Sequence, residues 1–144
     1  MTALAARPAP DRYAFAQSPC GGIAMALAGA EVLMRSSGAL LEVAHNALIV
    51  ADLHLEKASW FAARGQMLPP YDSRDTLERL ADAVKHTGAR RVITLGDNFH
   101  DDAGALRLDA HCTGMLEALT RALDWVWITG NHDPAPPQDI GGRI

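Results

Sequence analysis

Three short apolar runs, each followed directly by polar side chains, constrain the fold of this 144-residue chain more than any other feature. The runs are Ala47–Leu53, Arg91–Leu95 and Trp125–Thr129. Branched apolar runs of this length, bounded by turn residues, are typical of strands buried inside a sheet. Segments with helical spacing separate the runs, which gives the order strand, helix, strand, helix, strand. This order predicts βαβ units with parallel strands and helices packed over the sheet.

Two segments between these runs have the spacing of amphipathic helices. Over Ser73–His86 the apolar side chains recur at intervals of three and four residues, which places them on one helix face. Gly88 stands just past the end of this helix, where glycine is favoured. The same spacing predicts a helix over Asp109–Leu123, and Glu56–Gly65 is a candidate for a third, shorter helix.

The chain is expected to form one domain behind a flexible N-terminal tail. Residues 1–22 are rich in Ala, Pro and Gly without a period, which is typical of a tail, and residues 23–144 are assigned to the folded part. Within that part, Glu31–Arg35 and Ala39–Val43 are predicted as two short strands joined by a turn. The composition, with 49% hydrophobic and 21% charged residues, is that of a globular chain rather than a disordered one.

Several classes of protein are excluded by what the sequence lacks. Cys20 and Cys112 are its only cysteines, so neither a disulfide scaffold nor a thiolate zinc site is expected. No apolar run approaches the length of a membrane-spanning helix, and Ile23–Ala28 is too short for the core of a signal peptide. The net charge of −4 argues against a broad basic surface for nucleic acid. We expect a soluble, cytoplasmic protein that does not contact membranes.

Each predicted strand ends in residues that can bind a metal ion. Asp52 and His54 follow the first strand, Asp97 follows the second, and Asn131 and His132 follow the third. Parallel strands place their carboxyl ends at one edge of the sheet, so these residues are expected to converge there. In an extended chain Asp52 and His54 would point the same way and reach one cation. Such a mixture of carboxylate, imidazole and amide ligands suits Mn, Fe or Zn better than calcium.

The order of these motifs resembles that of a known superfamily. Asp-x-His, then Gly-Asp-x-x-His, then Gly-Asn-His-Asp, each after a strand, is similar to the pattern of the calcineurin-like metallophosphoesterases over roughly residues 30 to 134. The segments ADLHLEKASWFAARGQMLPPYDSRDTLERL and GDNFHD also resemble the PdeM-type, ligase-associated DNA-damage-response endonucleases or phosphoesterases. The resemblance implies an α/β fold in which a β-sandwich is flanked by helices (αββα), and it implies hydrolysis of phosphodiester bonds.

The resemblance also assigns roles to single residues. Asp52 and His54 would bind the first of two divalent metal ions, Asp97 would bridge both ions, and Asn131 would bind the second. Mn²⁺ is favoured, with Fe, Zn and Mg as alternatives. The expected nucleophile is a metal-bound hydroxide, because cations lower the pKa of water. His132 would lie beside the phosphate and either donate a proton to the leaving oxygen or stabilise the phosphoryl charge.

This sequence departs from the family pattern after its second strand. Many members have Asp-Arg-Gly where this chain has His100, Asp101 and Asp102. His100 is therefore a candidate to orient His132 or to contact the phosphate, and a supporting role behind the ligands is an equal alternative. Asp101 could pair with either histidine near the substrate. Arg64 is a candidate phosphate ligand in place of the missing arginine.

A second departure concerns the histidines with which the superfamily completes its metal centre, since this sequence has none after His132. We therefore expect residues 23–144 to be the N-terminal part of the domain, with the sandwich incomplete at the C-terminal end. The leading hypothesis is an endonuclease-like, DNA-repair-associated phosphodiesterase. One alternative is a non-catalytic or partner-dependent module. Another is a phosphodiesterase or phosphatase for nucleotides or other small molecules, from which a basic track leading to the site would distinguish the nuclease.

The sequence also gives expectations about the partners of the protein and about its aromatic residues. The resemblance implies DNA or a nucleotide as substrate and a DNA-repair ligase or helicase as partner. An uncovered sheet edge would favour homo-oligomers. Trp60 and Phe61, close to the first metal-ligand pair in sequence, are candidates for a wall of the substrate site. Trp125 and Trp127 share one strand face, and packing in the core is favoured for them over base stacking.

Overall fold

A computed structural model of the chain describes residues 16–17, 22–135, 137 and 139–144. Within them, seven strands form one sheet whose spatial order follows the order along the chain. The strands are β1 (Ala16–Gln17), β2 (Ile23–Leu27), β3 (Ala30–Met34), β4 (Leu40–Glu42), β5 (Ala47–Val50), β6 (Arg91–Leu95) and β7 (Asp124–Ile128). The helices are α1 (Lys57–Ala62), α2 (Asp72–Thr87), α3 (Gly104–Arg107) and α4 (Ala110–Ala122).

The sheet is antiparallel from β1 to β5 and parallel from β5 to β7. In the parallel part, Leu48 lies opposite Val92, and Val92 lies opposite Trp125. Helix α2 connects β5 to β6, and α4 precedes β7, so the predicted βαβ order is confirmed. The N-terminal strands β2 to β5 are connected by short turns, which suit antiparallel neighbours.

The hydrophobic core lies between one face of this sheet and the helices. Its strand residues are Leu48, Val92, Trp125 and Trp127, and the helices contribute a matching set of buried side chains: Leu77, Leu80, Ala83, Cys112 and Leu116. The indole rings of Trp125 and Trp127 are 5.1 Å apart, and both are buried. Their predicted place in the core is therefore confirmed.

The opposite face of the sheet remains apolar and partly exposed. Ile93 and Val126 lie there at the centre of β6 and β7, and Leu95 and Ile128 are 51% and 44% exposed. The helices of the described ranges pack on the first face, with the core. The described residues thus form one sheet with helices on one side, and the second sheet of the expected sandwich is not among them.

Several boundaries differ from the sequence-based expectations. The strand predicted to reach Leu53 ends at Val50, and the apolar segment at Ile23–Leu27 is strand β2. The short helix α3 was not expected. Strand β1 lies within residues 1–22, most of which, with Cys20, fall outside the described residues. No helix in the described ranges is both long enough and apolar enough to cross a lipid bilayer.

The outer edge of β7 is partly covered, which corrects the expectation of a bare sheet edge. Arg143 forms an isolated parallel bridge with Val126. The Trp127 N–H donates to the carbonyl oxygen of Arg143 at 2.7 Å, and the Arg143 N–H donates to the carbonyl oxygen of Trp125 at 2.9 Å. Nearby, the Trp127 indole donates to the carbonyl oxygen of Gly141 at 2.8 Å. The C-terminal residues, which have no sequence period, are therefore held by backbone hydrogen bonds.

Candidate metal centre

Loops that follow β5, β6 and β7 meet at the carboxyl edge of the parallel strands, as the sequence predicts. The loop after β5 runs alongside the loop after β6 through backbone hydrogen bonds. The His54 N–H donates to the Asp97 carbonyl oxygen, and the Leu55 N–H donates to that of Asn98, both at 2.9 Å. The His100 N–H returns to the Leu55 carbonyl oxygen, also at 2.9 Å. These bonds hold the two loops in a fixed register.

Asp133 ties the loop after β7 to the loop after β6. One of its carboxylate oxygens accepts the N–H groups of Asn98 and Phe99 at 2.9 and 3.2 Å. The other accepts the N–H of Gly130 at 3.0 Å, and the residue is only 2% exposed. Three backbone donors offset the cost of burying this carboxylate. Sequence analysis gave Asp133 no specific role, because its backbone partners Asn98 and Phe99 are distant along the chain.

Two glycines allow these loops to approach closely. Gly96 has a φ of 90°, which side chains rarely adopt, and a Cβ there would lie 3.0 Å from the Gly130 Cα. A Cβ on Gly130 would collide with the carboxylate and the backbone nitrogen of Asp97. The position of Asp97 therefore depends on glycine at residue 130.

The backbone of the first motif is not extended, which corrects the reason given for its ligand geometry. Asp52 and His54 follow the end of β5 and have φ values of 52° and 44°, and Asp97 has 48°. Each left-handed residue of this kind costs about 1–2 kcal/mol. Asp52 and His54 nevertheless approach one point with Asp97, through these turns rather than through strand alternation. Left-handed non-glycine residues concentrated at one site indicate a functional constraint on the backbone.

Two groups of potential metal ligands result, and they share His54. The ligand atoms of Asp52, His54 and Asp97 lie within 4.8 Å of one another, and so do those of His54, His100 and His132. His54 Nε2 lies 3.9 Å from an Asp97 carboxylate oxygen. The Nδ1 atoms of His54 and His100 are buried without a hydrogen-bond partner in the described ranges. Unpaired buried nitrogens among carboxylates fit a divalent cation, which would supply the missing partner.

His132 is oriented by the backbone of the preceding loop. Its Nδ1 lies 3.0 Å from the carbonyl oxygen of His100, and its N–H donates to a carboxylate oxygen of Asp97 at 3.0 Å. Because a carbonyl oxygen can only accept, Nδ1 carries the hydrogen in this bond. The group that orients His132 is therefore the carbonyl oxygen of His100, and not the His100 side chain that the sequence suggested. Nε2 of His132 remains available for proton transfer.

His100 lies in a surrounding that disfavours its charged form. Burial is the main cause that lowers its pKa, followed by electrostatic interactions with His132, His54 and Lys57, and Asp101 opposes them. A neutral imidazole retains a lone pair, so His100 can accept a proton or bind a cation near neutral pH.

One of the predicted site residues, Asp101, has a partner other than those expected. Asp101 pairs with Arg107, whose Nη1 donates to it at 3.2 Å and whose Nη2 binds its second oxygen, so this carboxylate is not hydrogen-bonded to either histidine. Arg107 also donates through Nε to the Ser59 hydroxyl at 2.9 Å. Asn131 is exposed in the loop after β7, beside His132 in sequence.

Aromatic residues of α1 pack against the histidine group. The Trp60 ring centroid is 4.9 Å from that of His100, and the Phe61 centroid is 5.8 Å away. The Arg64 guanidinium carbon lies 3.6 Å from the Trp60 centroid, and its Nη1 donates to the Trp60 carbonyl oxygen at 3.0 Å. Arg64 thus adjoins the histidine group through Trp60 rather than belonging to it.

Comparisons with known proteins give the family of the chain and a relative with a similar fold. The chain is similar to the crystal structure of Pseudomonas putida nuclease MPE, with a TM-score of 0.65 and 24% sequence identity. The alignment covers 85% of this chain but 59% of that one, so this chain spans less than two thirds of the nuclease. No curated protein matched the sequence. The family model described as calcineurin-like phosphoesterase matches residues 45–143, which include every predicted site residue, and the chain therefore belongs to that family of metallophosphoesterase hydrolases.

Proposed function

We propose that this chain carries part of the active site of a divalent-metal-dependent phosphodiesterase that acts on nucleic acid. The observation that carries the proposal is the pair of ligand groups that share His54 at the carboxyl edge of β5–β7. The structural relative from Pseudomonas putida is named a nuclease, which supports nucleic acid as the substrate class. A cytoplasmic location belongs to the same proposal, and so does a DNA-repair ligase or helicase as partner, which the family resemblance implies.

The first ligand group and the family resemblance together support an assignment of residues to the ions. Asp52, His54 and Asp97 would bind one ion, while Asp97 and Asn131 would bind a second, with Mn²⁺ the favoured metal. Bound there, the ions would lower the pKa of water and offset the negative charge of the phosphoryl group. Asp97 suits the shared position because a carboxylate offers two oxygens, one of which already receives the His132 N–H.

His132 is the proposed proton donor to the leaving oxygen. Its Nδ1 is engaged with the His100 carbonyl oxygen, so Nε2 is the atom that would hold and release the proton. His100 and His54 lie beside it, with ring centroids 5.2 and 5.0 Å from that of His132. The proposed role of His100 is to pack behind His132 in a neutral form and accept hydrogen bonds from substrate or water.

A second sheet over the open face would complete the αββα sandwich that the family resemblance implies. Ile93, Leu95, Val126 and Ile128 supply an apolar surface suited to it. A segment that carries this sheet, from the same polypeptide or from a partner, would also bring the further histidine ligands. The activity of the assembled site is part of the proposal.

Metal binding and hydrolysis test the proposal together. The chain is expected to bind Mn²⁺ in a calorimetric titration, and the assembled site is expected to hydrolyse bis(p-nitrophenyl) phosphate only when Mn²⁺ is present. Asp97→Ala should reduce both by at least about 100-fold, since it removes the shared carboxylate. Asp82→Ala is the matched control, because Asp82 is exposed on α2 away from the loops that hold the ligands. Equal binding and hydrolysis by Asp97→Ala and the parent chain would contradict the metal-site assignment.

A further inference from the structure

Helix α1 presents a basic and aromatic surface next to the histidine group, which we call the α1 ledge: Lys57, Trp60, Phe61 and Arg64. Lys57, Trp60 and Phe61 are spaced by three and four residues, so they share one face of the helix. Arg64 follows in the turn after α1 and folds back onto Trp60. The ledge therefore combines aromatic rings and cationic groups on one side of the candidate site.

Contacts between side chains show how the α1 ledge adjoins the histidine group. The Trp60 ring meets the His100 ring edge-on, and the rings of Trp60 and Phe61 are 5.0 Å apart. The Arg64 guanidinium lies over the face of Trp60 and uses only one nitrogen, Nη1, to bond the backbone. Nε and Nη2 of this exposed arginine therefore remain as donors in a guanidinium whose position is already restrained.

The charge of the ledge is not neutralised by neighbouring acids, unlike that of several other arginines. Those arginines are paired as follows: Arg74 with Glu78, Arg107 with Asp101, and Arg91 and Arg143 with Asp124. Across the described ranges, no ion pair joins Lys57 or Arg64 to a carboxylate. The positive charge of Lys57 interacts electrostatically with His100 and contributes to the lowered pKa of that residue.

We infer that Arg64 binds the phosphate of the nucleotide next to the scissile one, so that the site takes a nucleic-acid strand rather than a small phosphodiester. This inference rests on the proposed phosphodiesterase function. Trp60 separates the guanidinium from the histidine group, so Arg64 is placed for a neighbouring phosphate and not for the reacting one. A restrained guanidinium with two free donors suits an anionic phosphate, because Arg binds such oxygens in a fork geometry. Lys57 and Arg64 would contribute two positive charges to the basic track that distinguishes a nuclease from a small-molecule phosphodiesterase.

Strand binding in the absence of metal tests Arg64 separately from hydrolysis. The probe is a fluorescently labelled single-stranded oligonucleotide, whose anisotropy is measured with the full chain in EDTA between 50 and 200 mM salt. Arg64→Gln should weaken binding about 10-fold and reduce the slope of log affinity against log salt by about 0.7, which is the loss of one phosphate contact. Arg64→Lys should lie between the two, since it retains the charge without the fork.

Arg121→Gln is the matched control, because it removes the same charge from an exposed residue in the last turn of α4, at the opposite end of the sheet. It should leave strand affinity unchanged. With Mn²⁺ added, Arg64→Gln should reduce oligonucleotide cleavage relative to bis(p-nitrophenyl) phosphate hydrolysis about 10-fold, since the small diester has no second phosphate. Equal strand affinity for Arg64→Gln and Arg121→Gln would overturn the inference. Absence of Mn²⁺ binding in the calorimetric titration would contradict the proposed function, while the metal-free strand binding would still decide the role of Arg64.

Discussion

The two faces of the parallel strands differ in what covers them, although adjacent residues of the same strands build both. Trp127 points into the helical layer and is 2% exposed, whereas Ile128, its neighbour in β7, is 44% exposed. In β6 the same contrast separates Val92 from Leu95. The residue types on the two faces are nevertheless alike, so burial and not composition is what distinguishes them.

This difference indicates that the sheet is suited to packing against a layer on each face. Parallel strands are as a rule buried on both faces, and their sequences are then apolar throughout rather than alternating. The runs from which the fold was predicted are apolar on both faces, but the described residues cover only one. An exposed apolar face of this kind fits the second layer that the proposed function includes.

The largest expected effect on stability comes from a substitution on the covered face. Trp127→Ala should lower the free energy of unfolding by about 3–5 kcal/mol, because it empties a buried aromatic site and removes the hydrogen bond to Gly141. Ile128→Ala, one residue away on the open face, should lower it by less than about 1 kcal/mol. Urea denaturation followed by circular dichroism measures both. Similar losses for the two variants would show that the open face is also covered in solution.

A smaller effect is expected at the carboxyl edge of the parallel strands, which borders both faces. Gly130→Ala should weaken Mn²⁺ affinity at least about 10-fold, because a Cβ there collides with Asp97. Gly114→Ala is the matched substitution: Gly114 lies inside α4 and a Cβ would meet nothing within 4 Å. It should stabilise the chain by about 0.5–1 kcal/mol and leave Mn²⁺ affinity unchanged. Calorimetry and thermal unfolding distinguish the two, and full Mn²⁺ affinity in Gly130→Ala would refute the close-approach argument.

The smallest expected effect concerns the polar end of the open face. Hydrogen bonds from Arg143 and then Arg91 lower the pKa of Asp124 below its ordinary value. A carboxyl group whose pKa is lower in the folded state stabilises that state above the unfolded pKa, and the gain is lost as the pH falls through the folded pKa. Asp124→Asn should therefore lower Tm at pH 6 and converge with the parent chain below about pH 4. Asp82→Asn serves as the control, and a Tm difference for Asp124→Asn that persists unchanged at pH 2 would contradict this.

Much of the fold could be predicted because its signals are local. The strands of the parallel sheet and helices α2 and α4 follow from periodicity, from turn residues and from Gly88, which has a φ of 64° at the C-terminus of α2. Cys112 is buried in the core, and burial raises the pKa of its thiol to about 11. The convergence of Asp52, His54 and Asp97 followed from the rule for parallel strands.

What sequence reasoning missed depends on residues that meet only in the folded chain. Asp133 binds backbone groups 34 and 35 residues away, and no local pattern specifies those partners. Asp101 finds Arg107 instead of a histidine because helix α3, which was not expected, brings Arg107 to it. The left-handed conformations of Asp52 and His54 likewise result from pairing between loops, which overrides the extended geometry assumed from alternation.

The bond between His132 and the carbonyl oxygen of His100 has a consequence for how this site can diverge. Every amino acid supplies the same carbonyl oxygen, so residue 100 can be replaced without loss of the group that holds the imidazole. The side chain at this position is therefore not required to hold the imidazole of His132. In this chain, the path of a loop, and not the identity of one residue, keeps the histidine in place.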